Sequence, residues 1–280
     1  MPRPFPPVDP IPLAEQRGQS LPRLVELMQR LLAEDGCPWD REQTFESLRR
    51  YVVEEAHEVV DAIDRGDRAE VRAELGDLLL QIVFQAELGR AEGAFGPDDV
   101  VRGIIEKIVH RHPHVFAVEK AATANEVLEN WEQIKAKEKG AKGLIGGVPK
   151  SMPALLRAQR IGEKVEKVGF DWPDVRGSRG KVAEELAELD QAIASGERAK
   201  IADELGDTLF ALVNLARHLE IDAEAALRAT MDKFTTRFTH VEKRVLETRG
   251  GWPKASEGTL PLAELDLYWE EAKKLAREGR

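Results

Sequence analysis

Two groups of acidic residues recur in this chain of 280 residues with identical internal spacing. In each group, a Glu-Glu-x-x-Glu segment is followed, sixteen positions after its last glutamate, by Glu-x-x-Asp. Carboxylate oxygens in such numbers suit Mg²⁺ or Mn²⁺, whereas zinc prefers cysteine and histidine. The pattern therefore predicts a divalent-metal site. The acids are Glu54, Glu55, Glu58, Glu74 and Asp77 in the first group and Glu184, Glu185, Glu188, Glu204 and Asp207 in the second.

Hydrophobic periodicity places these acids on two helices joined by a short turn. Apolar residues recur at i, i+4, i+7, i+8 and i+11 from Val52 to Ile63, which is typical of an amphipathic helix. Gly66 interrupts the pattern, and a further helix is predicted from Asp67. A turn this short makes the two helices antiparallel neighbours. Because residues three apart share a helix face, we expect the carboxylates of both helices to converge.

The second acidic group lies in a repeat of the domain that carries the first. A shift of 130 positions lays residues 53–88 over 183–218 with 15 identities in 36 positions. Strand-like alternation is almost absent, so we predict an all-α chain with two tandem copies of one helical domain. Further helices are predicted over 20–36, 97–111 and 124–139. The predicted divisions are a proline-rich arm (1–19), a first copy (20–139), a glycine-rich linker (140–152) and a second copy (153–280).

Charge and composition disfavour several functional classes. Lys and Arg number 41 against 51 Asp and Glu, a net charge of −10, which argues against binding to long nucleic acids because their phosphates require a positive field. Hydrophobic residues make up 42%, enough for a folded core. No apolar run approaches the ~20 residues of a membrane-spanning helix. The single cysteine, Cys37, cannot form an internal disulfide, and we expect a soluble protein of the reducing cytoplasm.

Basic pairs in both copies are candidates for binding phosphate. Lys107 and Arg111 in the first half correspond to Lys233 and Arg237 in the second, each pair four residues apart on a predicted helix. Beside a carboxylate–metal centre, arginine binds phosphate oxygens with its planar fork and lysine binds them as a point charge. Taken alone, a basic pair with this spacing usually lies on an exposed helix surface.

Two tryptophans and two glycines also hold equivalent positions in the copies. Trp131 and Trp269 correspond, and a helical tryptophan is either a core residue or a platform for a nucleobase. Gly76 and Gly206 lie inside predicted helices, where glycine costs about 1 kcal/mol relative to alanine. We interpret these glycines as points of close helix packing, with room beside a metal as the alternative.

Two interpretations of the acidic groups remain open at this point. Acidic pairs usually lie on a solvated helix face, and a non-catalytic helical adaptor would use such faces to bind a basic partner protein. A metal site is favoured because both copies keep all five acids, although His57 and Asp61 of the first copy are replaced in the second. Crowded carboxylates beside apolar positions also repel one another unless a cation lies among them. Stability that depends on a divalent metal would distinguish the two interpretations.

The acidic spacing resembles the signature of the MazG nucleotide pyrophosphohydrolases, and four further segments resemble that family. They are Cys37-Pro-Trp-Asp40, Arg111-His-Pro-His-Val-Phe116, Val168-Gly-Phe-Asp-Trp172 and Asn214-Leu-Ala-Arg-His-Leu219. The resemblance covers nearly the whole chain beyond the arm, including the tandem arrangement. It implies all-α domains with four-helix-bundle type packing, pairing into a homodimer, and Mg²⁺-dependent hydrolysis of nucleoside triphosphates to monophosphate and pyrophosphate. A role in nucleotide-pool or stress-related housekeeping would accompany that activity.

The resemblance also implies roles for particular residues. The second copy is implied to be catalytic, because Tyr51 of the first copy occupies the place of Lys181, with Arg50 one residue away. We expect Glu184 or Glu185 to orient an attacking water or to accept its proton. The implied magnesium ligands are Glu185, Glu188, Glu204 and Asp207 in the second copy and Glu55, Glu58, Glu74 and Asp77 in the first. The implied nucleotide contacts are Lys181, Lys233, Arg237 and Trp269, with Lys107, Arg111 and Trp131 as first-copy counterparts.

Overall fold

The computed structural model describes residues 20–116, 123, 143–254 and 258–278. Within these residues the regular structure is entirely α-helical, so the all-α prediction is confirmed. The proline-rich arm, the helix predicted over 124–139 and Trp131 within it lie outside the described residues. The chain divides into two compact units, Met1–Glu138 and Lys139–Arg280.

In each unit, the second helix of the acidic hairpin packs against several other helices. In the first unit α4 packs against α1, α3 and α5, and in the second unit α9 packs against α7 and α8. In the part of the chain that is described, no helix has both the length and the apolarity needed to cross a membrane. The first-unit helices are α1 (Leu21–Leu32), α2 (Pro38–Arg41), α3 (Phe45–Arg65), α4 (Arg68–Ala91), α5 (Pro97–Arg111) and α6 (Pro113–Phe116). The second-unit helices are α7 (Ala154–Glu166), α8 (Val175–Ser195), α9 (Arg198–His218), α10 (Ala223–Arg249) and α11 (Leu262–Glu278).

Each acidic group is carried by a helical hairpin whose turn contains one glycine. Gly66 follows α3 with a φ of 74°, and Gly196 follows α8 with a φ of 71°, a left-handed conformation that glycine adopts without strain. Asp67 then caps α4 by accepting hydrogen bonds from the backbone amides of Ala69 and Glu70. These short turns bring α3 onto α4 and α8 onto α9, as the sequence predicts.

The first helix is shorter than the sequence predicts. We expected it to end at Gly36, but α1 ends at Leu32. The backbone leaves the helix at Ala33, whose ψ of 162° is extended, and the amide of Cys37 then donates to the carbonyl of Leu31 at 2.7 Å. This hydrogen bond satisfies a carbonyl at the end of the helix. The helix can therefore end at Leu32, before the predicted end at Gly36. The bounds of α5, by contrast, match the prediction.

Apolar clusters support the helices of both units. In the second unit, Val241 and Val245 of α10 pack with Tyr268 of α11, and Trp269 lies partly buried against this cluster. Trp269 therefore has the core contact that its helical position suggested, and its ring also faces α10. In the first unit the buried cluster consists of Met28, Leu32, Leu48, Val83, Phe84 and Leu88.

A largely buried ion-pair network ties the loop after α7 to the end of α9. The guanidinium of Arg217 donates to Asn214 Oδ1 at 2.8 Å, to Glu166 Oε2 at 2.8 Å and to Asp171 Oδ1 at 2.6 Å. His218 Nε2 lies 3.1 Å from the same Asp171 oxygen. Burial by itself would raise the pKa of Asp171, but the hydrogen bonds from Arg217 and His218 outweigh it and hold that pKa below its usual value. Two of the segments singled out in the sequence are thereby joined in space.

In the first unit, an acidic residue, Glu87, occupies the repeat position that Arg217 occupies in the second. Glu87, which the 130-residue shift lays over Arg217, is 0% exposed. Its Oε1 accepts a hydrogen bond from Gln29 Nε2 at 3.2 Å and lies 3.1 Å from Arg90 Nη2. Its Oε2 has no hydrogen-bond partner among the described residues. Burial raises the pKa of Glu87, against the lowering effects of Gln29 and Arg90.

Candidate metal centre

Three glutamates from two helices bring their carboxylates together in the second unit. Glu185 and Glu188 lie on α8 and Glu204 lies on α9, and one oxygen of each is within 4.8 Å of the other two. This set is called the second trio below. The first unit repeats the arrangement on α3 and α4, and its first trio consists of Glu55, Glu58 and Glu74.

The aspartate of each acidic group lies outside its trio. Neither Asp77 nor Asp207 contributes an oxygen to the sets within 4.8 Å. Both aspartates still act through their charge. The pKa of Glu55 is raised by burial and then by Asp77. The pKa of Glu204 is raised by burial, by its trio partners and, more weakly, by Asp207. The structure thus brings together three of the four predicted ligands of each copy and places the fourth within electrostatic range.

The electrostatics of the trios fit a divalent cation. Burial and the charge of Glu58 raise the pKa of Glu74, as burial and like charges do at Glu55 and Glu204. Carboxylates in this arrangement destabilise one another, and a cation among them converts that repulsion into attraction. Each trio offers only carboxylate oxygens, a donor set that suits Mg²⁺ or Mn²⁺.

Lys181 adds a positive charge to the second trio from one turn earlier on α8. Its Nζ lies 2.6 Å from Glu184 Oε1 and 2.7 Å from Glu185 Oε1. Both hydrogen bonds raise the pKa of Lys181 above its usual value, and the bond to Glu184 has the larger effect. The side chain of Glu185 is 7% exposed and that of Glu184 is 58% exposed. Lys181 therefore compensates the buried charge of Glu185, while Glu184 stays open to solvent.

Among the described residues, no cation pairs with the first trio as Lys181 does with the second. Tyr51 stands in place of the lysine, and the guanidinium of Arg50 donates to the Tyr51 hydroxyl and lies over its ring at 4.5 Å. No ion pair with Glu55 occurs among the residues that the structure describes. The other first-copy candidates, Lys107 and Arg111, lie on α5, which packs against α4. The structure therefore brings the acids of the first copy together without the lysine of the second.

Three of the four second-copy residues expected to contact nucleotide lie on α10 and α11. The Cζ of Arg237 is 5.7 Å from the ring centroid of Trp269, and that centroid is 5.0 Å from the ring of Phe234. Lys233 and Arg237 line a cleft of about 400 Å³ between the two helices. The structure thus brings Lys233, Arg237 and Trp269 together on one helix pair, whereas Lys181 lies on α8.

Two further basic residues line this cleft and were not selected from the sequence. They are Lys273 and Arg277, one turn apart on α11. A signal for them exists in the duplication. The register that pairs Trp131 with Trp269 also pairs two first-copy lysines with Lys273 and Arg277. The first-copy lysines are Lys135 and Lys139, which lie outside the described residues.

The helical glycines do not mark close packing within the chain. A Cβ atom built at Gly76 or Gly206 would meet no atom within 4 Å in the described structure. The prediction of close helix packing at these positions is therefore wrong for the described part of the chain. The alternative, room beside a metal, stays a prediction.

Comparison with known proteins identifies the family. A model of the MazG nucleotide pyrophosphohydrolase domain matches residues 43–116 and 178–242, and each match contains one trio. The chain is 42% identical to the nucleoside triphosphate pyrophosphohydrolase/pyrophosphatase MazG of Thermotoga maritima, over 92% of this chain and 98% of the relative. The chain belongs to the MazG nucleotide pyrophosphohydrolase family.

A second MazG relative supports the same assignment. The nucleoside triphosphate pyrophosphohydrolase of Escherichia coli K12 is 43% identical over 90% of this chain and 96% of its own length. The predicted family, the tandem all-α MazG domains and the enzyme class are confirmed, and with them hydrolysis of nucleoside triphosphates to monophosphate and pyrophosphate. The non-catalytic adaptor is therefore set aside.

Proposed function

We propose that this MazG protein hydrolyses nucleoside triphosphates at the α-phosphorus in its second copy, with Mg²⁺ as the metal and Mn²⁺ as a substitute. The observation that carries the proposal is the second trio, in which Glu185, Glu188 and Glu204 present oxygens within 4.8 Å of one another. These three residues would hold the ion, with Asp207 as the fourth ligand. When bound, the ion supplies positive charge to phosphate oxygens and lowers the pKa of a coordinated water.

Residues in and around the trio have separate roles in proton transfer, metal binding and phosphate binding. Glu184 is the exposed carboxylate beside the trio, and it orients the attacking water and accepts its proton. Glu185 is nearly buried and serves as a ligand, and Lys181 forms an ion pair with it at 2.7 Å. Lys233 and Arg237 bind phosphate oxygens and offset the charge that develops on the leaving pyrophosphate.

The first copy binds metal but contributes less to turnover. Its trio offers the same carboxylates, yet Tyr51 stands where Lys181 provides an ammonium in the second copy. The loss of a hydrogen-bonding cation removes both a carboxylate partner and a candidate phosphate contact. We therefore assign catalysis to the second copy and a subordinate metal-binding role to the first.

Homodimerisation is part of the proposal. The hairpins that carry the trios expose large apolar side chains, and Leu186, Ile193, Leu205 and Leu209 of the second unit are each 47–55% exposed. Large apolar side chains exposed in this number favour association with a partner surface. Light scattering of the purified protein would give twice the chain mass if this proposal is correct.

We place the dimer in the cytoplasm, because its reducing conditions suit a free cysteine such as Cys37. Its role there would be in nucleotide-pool housekeeping.

Product identity tests the function directly. Purified protein is incubated with each common nucleoside triphosphate and Mg²⁺, with a chelated control, and the products are followed by phosphorus NMR. Monophosphate plus pyrophosphate, formed only with metal, is the expected result. Diphosphate plus orthophosphate would contradict attack at the α-phosphorus.

Paired variants separate the two copies in the same assay. Glu185→Ala with Glu204→Ala should lower turnover at least 100-fold, whereas Glu55→Ala with Glu74→Ala should lower it less than tenfold. The reverse order would overturn the assignment of catalysis to the second copy.

A further inference from the structure

The cleft between α10 and α11 is lined by an excess of positively charged side chains. Elsewhere on this helix pair, positive charges are neutralised by ion pairs. In these pairs, arginines of α10 meet carboxylates of α11. Arg244 Nε lies 3.0 Å from Glu271, and Arg249 Nη2 lies 2.6 Å from Glu264. At the cleft, four cations and one carboxylate share the lining, which consists of Asp232, Lys233, Thr236, Arg237, Lys273, Ala276 and Arg277.

Three of the four cations in the cleft have no ionic partner among the described residues. Lys273 pairs with Glu270 at 2.7 Å, on an exposed side of α11. Lys233, Arg237 and Arg277 form no ion pair with the residues that the structure describes. Four cations around one opening repel one another, and an anion bound among them removes that cost. The cleft is therefore electrostatically complementary to an anion of more than one charge.

The volume of the cleft and its two arginines suit a polyphosphate as the bound anion. Its volume of about 400 Å³ lies within the range of small-molecule sites, and its two arginines offer planar forks that match phosphate oxygens. Arg237 links the cleft to an aromatic surface, since its guanidinium lies over Trp269. The basic pair on α11 also recurs in the first-copy sequence as Lys135 and Lys139.

We propose that Lys273 and Arg277 complete a pyrophosphate-binding cleft with Lys233 and Arg237. The cleft binds the terminal phosphates of the substrate and retains inorganic pyrophosphate after hydrolysis, a role that rests on the proposed function. Binding of free pyrophosphate by the cleft itself depends only on its charge and shape. Pyrophosphate should therefore bind without divalent metal and should inhibit turnover by competing with the nucleotide.

The test is titration calorimetry of the full chain with inorganic pyrophosphate in chelator, at moderate salt. Wild type should bind, and Lys273→Gln with Arg277→Gln should weaken binding at least tenfold. The matched control is Lys243→Gln with Lys274→Gln, which removes the same charge from the same two helices at side chains 73% and 76% exposed. The control should change binding less than twofold. The single variant Arg277→Gln, an exposed substitution, repeats the test with the smallest perturbation of the helix.

Two outcomes overturn the cleft assignment. One is equal weakening in the cleft variant and the control, which would show a response to net charge alone. The other is the absence of pyrophosphate binding by wild type. The metal-site variant Glu185→Ala with Glu204→Ala should bind pyrophosphate as wild type does. If wild type bound pyrophosphate through the cleft but released none from nucleotides, the proposed function would fail while the cleft assignment held.

Discussion

The Nζ of Lys181 lies 2.7 Å from Oε1 of Glu185, one helical turn further along α8. This pair supplies a buried carboxylate with a cation at short range, and the buried partner is also a member of the second trio. A buried charge without such a partner is costly. The ammonium of Lys181 therefore offsets the cost of keeping the Glu185 carboxylate in the proposed metal site.

Removal of this ammonium should impair the second copy. We expect Lys181→Met to lower kcat/KM at least tenfold, about 1.4 kcal/mol of transition-state stabilisation. Lys181→Arg keeps the charge and should retain more activity than Lys181→Met.

The converse change is Tyr51→Lys in a chain whose second trio carries Glu185→Ala and Glu204→Ala. It should raise the residual turnover of the first copy. An unaltered kcat/KM in Lys181→Met would contradict the role given to this pair.

Divalent metal should stabilise the protein through the trios. Mg²⁺ at about 100 times its dissociation constant stabilises a folded domain by about 2.7 kcal/mol, which corresponds to a rise in Tm of about 5 °C or more. Glu185→Ala with Glu204→Ala should abolish this rise for the second unit in scanning calorimetry. Asp190→Ala, an exposed carboxylate of α8 outside the trio, should leave it intact. An undiminished rise in the double variant would exclude these residues as ligands.

The Arg217 network should make the second unit sensitive to acid. The pKa of Asp171 is held below its usual value in the folded chain, so its contribution to stability is present above the unfolded pKa of ~3.9 and is lost as pH falls through the folded pKa. Asp171→Asn should therefore destabilise most at pH 7, and the difference from wild type should shrink in acid. Scanning calorimetry between pH 7 and pH 3 checks this, with Asp190→Asn as the exposed control. A difference that stays constant over that range would contradict the charge-based account.

Glu87 should have the opposite effect on the first unit. Its pKa is raised by burial, so its contribution to stability is present below the unfolded pKa of ~4.3 and is lost as pH rises through the folded pKa. Glu87→Gln keeps the shape and removes the titration. The variant should gain stability relative to wild type between pH 4 and pH 7. A variant that is less stable than wild type at pH 7 would show that the ion pair with Arg90 outweighs the cost of burial.

The sequence by itself determined the two helical hairpins and the identity of the acids they carry. Helix formation depends on neighbours three and four residues apart, so the apolar stripe before Gly66 and the start of the next helix near Asp67 can be predicted without a structure. Duplication then singled out the carboxylates, because both copies keep them at one spacing.

Only the tertiary structure decided which groups meet across the helices. It brought three acids of each copy within 4.8 Å and left Asp77 and Asp207 outside. It buried Glu87 in one unit and built the Arg217 network in the other, although both occupy one position of the repeat. It also placed Lys273 and Arg277 against the basic pair of α10. Burial and charge compensation depend on residues distant in the chain, and the local periodicity that predicts a helix carries no information about them.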